Sequence, residues 1–241
     1  MPDKPTRAAL VRELKEAGTQ RRAVGAARFF KTGPGEYGEG DLFLGVTVPD
    51  LRRITKRYKA LSLIEVERLL AAREHECRLA ALLILVAQYQ RGDDAAQREI
   101  LDLYLRNTKF INNWDLVDAS CREIVGGHVR SGSRRLLTRL AKSKSLWERR
   151  IAMISTMPLV WDGELDDAQH IAEILLDDRH DLIHKAIGWV LRELGDVDRA
   201  ALIRFLQQHY QRVPRTALRY AIEHFPSSQR KQALRGRFVA V

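Results

Sequence analysis

From residue 42 onward the chain has no alternation of apolar and polar residues long enough for a half-buried strand, only short amphipathic segments at helical spacing. That pattern confines the fold to packed helices. The spacing predicts helices over 49–58, 62–72, 76–90, 95–105, 114–128, 133–141, 146–157, 166–176, 182–194, 198–209, 214–224 and 227–237, preceded by two over 6–17 and 21–31. Pro49 suits a first-turn position, and Asn113 and Ser145 stand where N-caps are needed. Connections of a few residues make sequential helices antiparallel neighbours.

A weak repeat runs through these helices. In register, Arg78, Asp115, Arg150 and Lys185 each open a charged-then-apolar turn, at intervals of 37, 35 and 35 residues. Two helices per period indicate stacked repeats: an all-α, HEAT-like helical-repeat solenoid with a concave basic face. A single domain over 1–241 is expected, with N-terminal helices at 6–31, a glycine-rich connector at 32–41 and repeats over 42–237. The sign of that face follows from 41 Lys and Arg against 31 Asp and Glu, a net +10, which favours a polyanionic partner, nucleic acid before membrane.

Other classes are disfavoured. No run approaches the ~20 apolar residues of a membrane span, and the first residues lack a signal-peptide core, so a soluble cytoplasmic monomer is expected. Cys77 and Cys121 match no ligand spacing and read as small core residues of a reducing compartment. The glycine-rich stretch could cradle phosphate only with a strand before it and Gly-Lys-Ser/Thr after it, so it reads as an exposed connector. His180 and His184 have i, i+4 spacing but neither a neighbouring Glu nor a third ligand, and no metal or organic cofactor is expected.

Polar residues that break the apolar pattern are the informative ones. Along 114–128 the stripe is Trp114, Val117, Cys121 and Val125, with Asp118 on its edge; Asp115, just behind the Asn113 cap, suits the helix N-terminus. Along 146–157, Arg150 lies amid Met153, Ile154 and Met157. Along 182–194, Ile187, Val190, Leu191 and Leu194 share one face while Lys185, Trp189 and Arg192 share the other. Two readings follow: a buried Asp118–Arg150 pair that fixes repeat packing, or a site in which Asp118, Arg150, Trp114 and Trp189 meet on the concave face.

These blocks, Phe43-Leu-Gly-Val with Pro49 soon after, Trp114-Asp-Leu-Val-Asp118, Trp147-Glu-Arg-Arg150 and Lys185-Ala-Ile-Gly-Trp-Val-Leu-Arg192, together resemble the AlkD-type alkylpurine DNA glycosylases over about 25–225. The resemblance implies that Asp118 is the catalytic carboxylate, with Trp114, Arg150 and Trp189 lining the site, and that Lys185, Arg192, Arg149, Trp147 and Phe29 contact duplex DNA bearing alkylated bases. Phe29 stands where some members carry Tyr, so no hydroxyl is available there. An N3- or N7-alkylated purine is already cationic, so its departure needs little protonation and one carboxylate can suffice. The alternatives are a non-catalytic repeat module that binds unusually shaped DNA and a protein-binding scaffold, which the positive charge disfavours.

Overall fold

Residues 79–87, Leu-Ala-Ala-Leu-Leu-Ile-Leu-Val-Ala, are apolar all round, and a helix of that kind has to be enclosed by others. In the computed structural model of the chain, which describes residues 5–238, they lie within the first of two compact units, Met1–Ile124 and Val125–Val241. The first unit comprises α1 (Arg7–Ala17), α2 (Gln20–Phe29), α3 (Val48–Thr55), α4 (Leu63–Leu70), α5 (His75–Tyr89), α6 (Asp94–Arg106) and α7 (Trp114–Asp118). Helices α1, α3, α4, α6 and α7 pack on α5, whose Leu82, Ile84 and Leu85 are fully enclosed. Each such side chain contributes about 1.5–3 kcal/mol on burial. Thr6, Thr19, Thr47, Ser62 and Asp93 cap their helices through side-chain oxygens, each stabilising by ~1 kcal/mol.

The second unit comprises α8 (Gly127–Ser131), α9 (Arg135–Ala141), α10 (Leu146–Ile154), α11 (Met157–Trp161), α12 (Asp166–Leu175), α13 (Asp181–Val197), α14 (Arg199–His209), α15 (Arg215–Ala221) and α16 (Ser227–Ala233). Here α13 is the centre, touching α10, α11, α12, α14 and α15. Ile187, Val190, Leu191 and Leu194 are buried, as their period requires. Gly188 lets α15 approach, since a Cβ there would lie 2.5 Å from both the Ala217 carbonyl oxygen and Tyr220 Cβ. Among the described residues the fold is all-α, with a single isolated bridge from Leu42 to Glu74, and no helix is long and apolar enough to cross a membrane.

Three expectations need correction. The helix expected over 114–128 is α7, a turn, a π-helical segment Arg122–Gly126 and α8. Ser120 donates its hydroxyl to the Leu116 carbonyl at 2.6 Å, and Gly126 and Gly127 weaken any helix that includes them. The helix expected over 146–157 stops at Ile154, because the Pro158 ring is incompatible with a helical carbonyl four residues earlier; Pro158 instead opens α11, which the periodicity did not predict. The connector is not wholly exposed. Gly38 and Asp41 are buried, and Glu36 and Glu39 accept the Gly33 and Gly35 amides, so its own carboxylates take the N–H groups a phosphate would need.

The repeat has a structural counterpart with a shifted register. Arg78 Nη1 donates to the carbonyls of Ala72 and Arg73 (3.1 and 2.9 Å), six and five residues back. Arg149 Nη1 donates to those of Ser143 and Lys144 (3.1 and 2.9 Å), with the same offsets. His184 Nε2 donates to Asp178, six back. In each case a first-turn side chain fastens its helix to the corner before it. The equivalent positions are Arg78, Arg149 and His184, one residue ahead of the Arg150 and Lys185 that the sequence register had aligned.

The Phe43-Leu-Gly-Val block is held by Glu76, which is buried at the start of α5. Its carboxylate accepts the amides of Leu44 (2.9 Å), Gly45 (2.7 Å) and Val46 (3.2 Å), while Arg22 Nε takes the Gly45 carbonyl at 2.7 Å. Gly45 has φ +78°, and a Cβ there would lie 2.3 Å from the Thr19 carbonyl oxygen. Gly45→Ala is expected to destabilise the protein by more than the ~1–3 kcal/mol of a left-handed residue alone. Gly35→Ala, at φ +76° with open space around its Cβ, should lose only that strain, so thermal midpoints of the two variants separate the contributions.

Candidate functional site

In the first unit the site is built on an apolar helix that begins with charge. Because α5 is enclosed, the His75, Glu76 and Arg78 of its first turn need partners. The His75 ring bridges two carboxylates: Nδ1 is 2.9 Å from Asp41 Oδ2, and Nε2 is 2.8 Å from Asp115 Oδ2. Arg78 Nη2 donates to the other Asp41 oxygen at 2.5 Å. Burial alone would lower the His75 pKa, but its bonds to Asp115 and Asp41 outweigh that and hold it above the ordinary value. Burial would raise Asp41; the His75 bond and the Arg78 charge hold it below the ordinary value instead. The His75 ring between two carboxylates thus ties the glycine-rich segment, α5 and α7 together.

A cluster of rings packs around His75. Phe43 and Phe30 both lie against it (centroids 4.6 and 5.0 Å) and against each other (5.1 Å, planes 15° apart), and Trp114 stacks on Phe30 (5.3 Å, 24°). Phe29 meets Trp114 and Phe30 edge-on, at 5.9 and 5.0 Å, and is itself 66% exposed. Trp114 is therefore half-buried and braced from one side. Asp118, also half-buried, is the last residue of α7, four residues after Trp114 and so on the same helical face. A helix C-terminus is the unfavourable end for a carboxylate, so helix stability does not account for Asp118. After burial and the Cys121 interaction, the Asp118 charge also helps push the enclosed Tyr104 phenol well up; the phenol lies 3.0 Å from Ser120 Oγ.

In the second unit Arg150 is buried on α10 and donates to the Leu182 carbonyl in the first turn of α13 at 2.5 Å. Trp147 is half-buried in the first turn of α10, behind the Ser145 cap. Arg149, half-buried, is occupied by three acceptors, the two corner carbonyls and Asp178 at 2.6 Å, which fasten it to the corner. Lys185, Trp189 and Arg192 are all half-buried on one face of α13, as the spacing predicts. Lys185 pairs with Asp181 at 2.8 Å, and Arg192 pairs with Glu223 and, at 3.3 Å, Glu193. The Trp189 indole donates to Glu193 Oε1 at 3.1 Å. His180 caps α13 through Nδ1 and His184 serves the corner. Among the described residues no group of three His, Cys, Asp or Glu side chains is arranged to hold a metal. Cys77 and Cys121 are buried free thiols, and burial pushes the Cys77 thiol up to about 12.

The family model for the DNA alkylation repair enzyme matches residues 10–225. The chain belongs to that family. A solved structure from Enterococcus faecalis, described as a predicted DNA alkylation repair enzyme, superposes with a TM-score of 0.69 over 87% of this chain and 97% of its own, at 18% identity. That likeness is one of fold. No curated protein matches the sequence.

For this DNA alkylation repair protein, sequence reading singled out Trp114, Asp118 and Trp189 as candidates and did not single out the His75 network behind Trp114. Asp115 does more than favour a helix N-terminus, since it holds His75. The available signal was the run His75-Glu-Cys-Arg78 opening an otherwise apolar helix, because charge enclosed in such a helix has to be paired. Since the His75 pKa is raised, its contribution to stability is complete below about pH 6.5, the ordinary imidazole value, and is lost as pH rises through the higher folded-state value. His75→Gln, which removes one member of a buried ionic network, is expected to cost about 3–5 kcal/mol at mildly acidic pH. Thermal melts should show the gap to wild type narrowing as the pH is raised.

Proposed function

We propose that this protein is a monofunctional DNA glycosylase that hydrolyses the N-glycosidic bond of positively charged N3- or N7-alkylpurines in duplex DNA. The observation that carries the reading is the pairing of Asp118 with Trp114 on one face of α7, the indole braced by Phe30 and the carboxylate at the end of the helix that disfavours it. Family membership supplies the context of alkylation repair.

The chemistry requires little more. In a cationic alkylpurine the C1′–N bond breaks with its electron pair passing to the base, which leaves neutral. Charge develops on the sugar, where the Asp118 carboxylate stabilises it. Water adds to C1′, and Asp118 accepts the proton it releases. The indole face of Trp114 suits a cationic nucleotide through cation–π attraction, and that of Trp189, in the second unit, is by itself suited to nucleotide contact. In the second unit Lys185 and Arg192 are assigned to DNA phosphates, whereas Arg150, buried and donating to the Leu182 carbonyl, is assigned to positioning the start of α13. The Lys185–Asp181 and Arg192–Glu223 pairs are partly exposed, and such pairs are weak, so phosphate can replace the carboxylates at small cost.

Asp118→Asn is expected to slow single-turnover release of alkylated base from methylated duplex DNA by roughly a hundredfold or more. Absence of release by the wild type, with tight salt-sensitive binding retained, would identify a non-catalytic DNA-binding module instead; undiminished release by the variant would remove Asp118 from its role. Lys185→Ala should weaken duplex binding about equally across sequences and lower the slope of log K against log salt by about one.

A further inference from the structure

Helix α11 buries Met157, Pro158, Leu159 and Val160 and leaves its last residue outside: Trp161 is 52% exposed. It has by far the largest side chain in the helix, and exposing an indole forfeits burial that its neighbours have all achieved. Yet it is held in place. Its Nε1–H donates to Glu193 Oε2 at 3.3 Å, while the Trp189 Nε1–H donates to Glu193 Oε1 at 3.1 Å. One half-buried carboxylate therefore fixes two indoles from two helices, and the Arg192 guanidinium contacts the same carboxylate at 3.3 Å.

We infer that Trp161 is a second aromatic contact for the DNA strand, beside Trp189, and that Glu193 is the positioning residue that sets both indole planes. The inference rests on the assignment of Trp189 to nucleotide contact. Indole faces stack on bases or deoxyribose without regard to sequence, and an adjacent Arg supplies the phosphate complement, a combination found where proteins follow a nucleic-acid strand. The net charge of +10 selects a polyanion over an apolar peptide as the occupant. Because Glu193 accepts through both oxygens, a carboxamide at that position can accept only one of the two indole N–H groups.

The test uses the full chain, a fluorescently labelled duplex and methylated duplex DNA. Trp161→Ala is expected to weaken duplex binding about tenfold and to raise KM for base release with kcat nearly unchanged. DNA should quench less tryptophan emission in Trp161→Phe than in the wild type. Glu193→Gln is expected to change the near-ultraviolet circular dichroism of the indoles and to lower kcat, with Glu193→Asp recovering part of it. Wild-type affinity in Trp161→Ala together with unaltered quenching in Trp161→Phe would overturn the contact, and wild-type kcat in Glu193→Gln would overturn the positioning role. A wild-type protein that neither binds nor processes duplex DNA would instead overturn the glycosylase reading on which both rest.

Discussion

The imidazole of His75, held between the carboxylates of Asp41 and Asp115, is the interaction on which the first unit depends. An enclosed ion pair gives little net stability over an apolar substitute, but removing one partner is severe, so such a network acts chiefly to fix geometry. What it fixes is specific. Asp41 ends the glycine-rich segment, His75 opens the central helix, and Asp115 is the second residue of the five-residue helix that carries Trp114 and Asp118. A helix that short has almost no cooperativity of its own and must be set by its surroundings. The ring cluster of His75, Phe43 and Phe30, on which Trp114 stacks, and the hydroxyl of Ser120 complete that setting.

The second unit solves a similar problem with weaker materials. Its outward-facing residues are held by carboxylates: Asp181 for the half-buried Lys185, Glu223 for the half-buried Arg192, and Glu193 for the half-buried Trp189 and the exposed Trp161. Each carboxylate restricts a long or broad side chain before any ligand arrives, so less rotamer freedom remains to be lost on binding. The arrangement trades some electrostatic attraction for order.

Helix periodicity made the fold class legible, because a 3.6-residue apolar stripe such as Ile187, Val190, Leu191 and Leu194 is a property of contiguous sequence. The Lys185–Trp189–Arg192 face was legible for the same reason. Helix breaks were less so: Pro158 could have been read as a stop, but the turn after α7 depends on where one serine hydroxyl points. The network behind Trp114 was not legible at all beyond an oddly charged first turn, since Asp41, His75 and Asp115 are separated by 34 and 40 residues and meet only through tertiary packing. The one-residue error in repeat register has the same origin: charge and apolar pattern aligned Arg150 with Arg78, whereas backbone hydrogen bonding aligns Arg149.

Those corner fastenings bear on how such a chain diverges. Arg78, Arg149 and His184 each reach main-chain carbonyls, acceptors that every residue possesses whatever its side chain. The acceptor half of the fastening is thus indifferent to mutation, and the donor half has been met by two different residue types. A corner built in this way needs one long cationic or imidazole donor at one position and imposes no side-chain requirement on the carbonyls it reaches. Such one-sided joints allow helix pairs to differ in composition while their junctions persist, and they suit a fold that recurs in a solved structure at 18% identity over 87% of the chain.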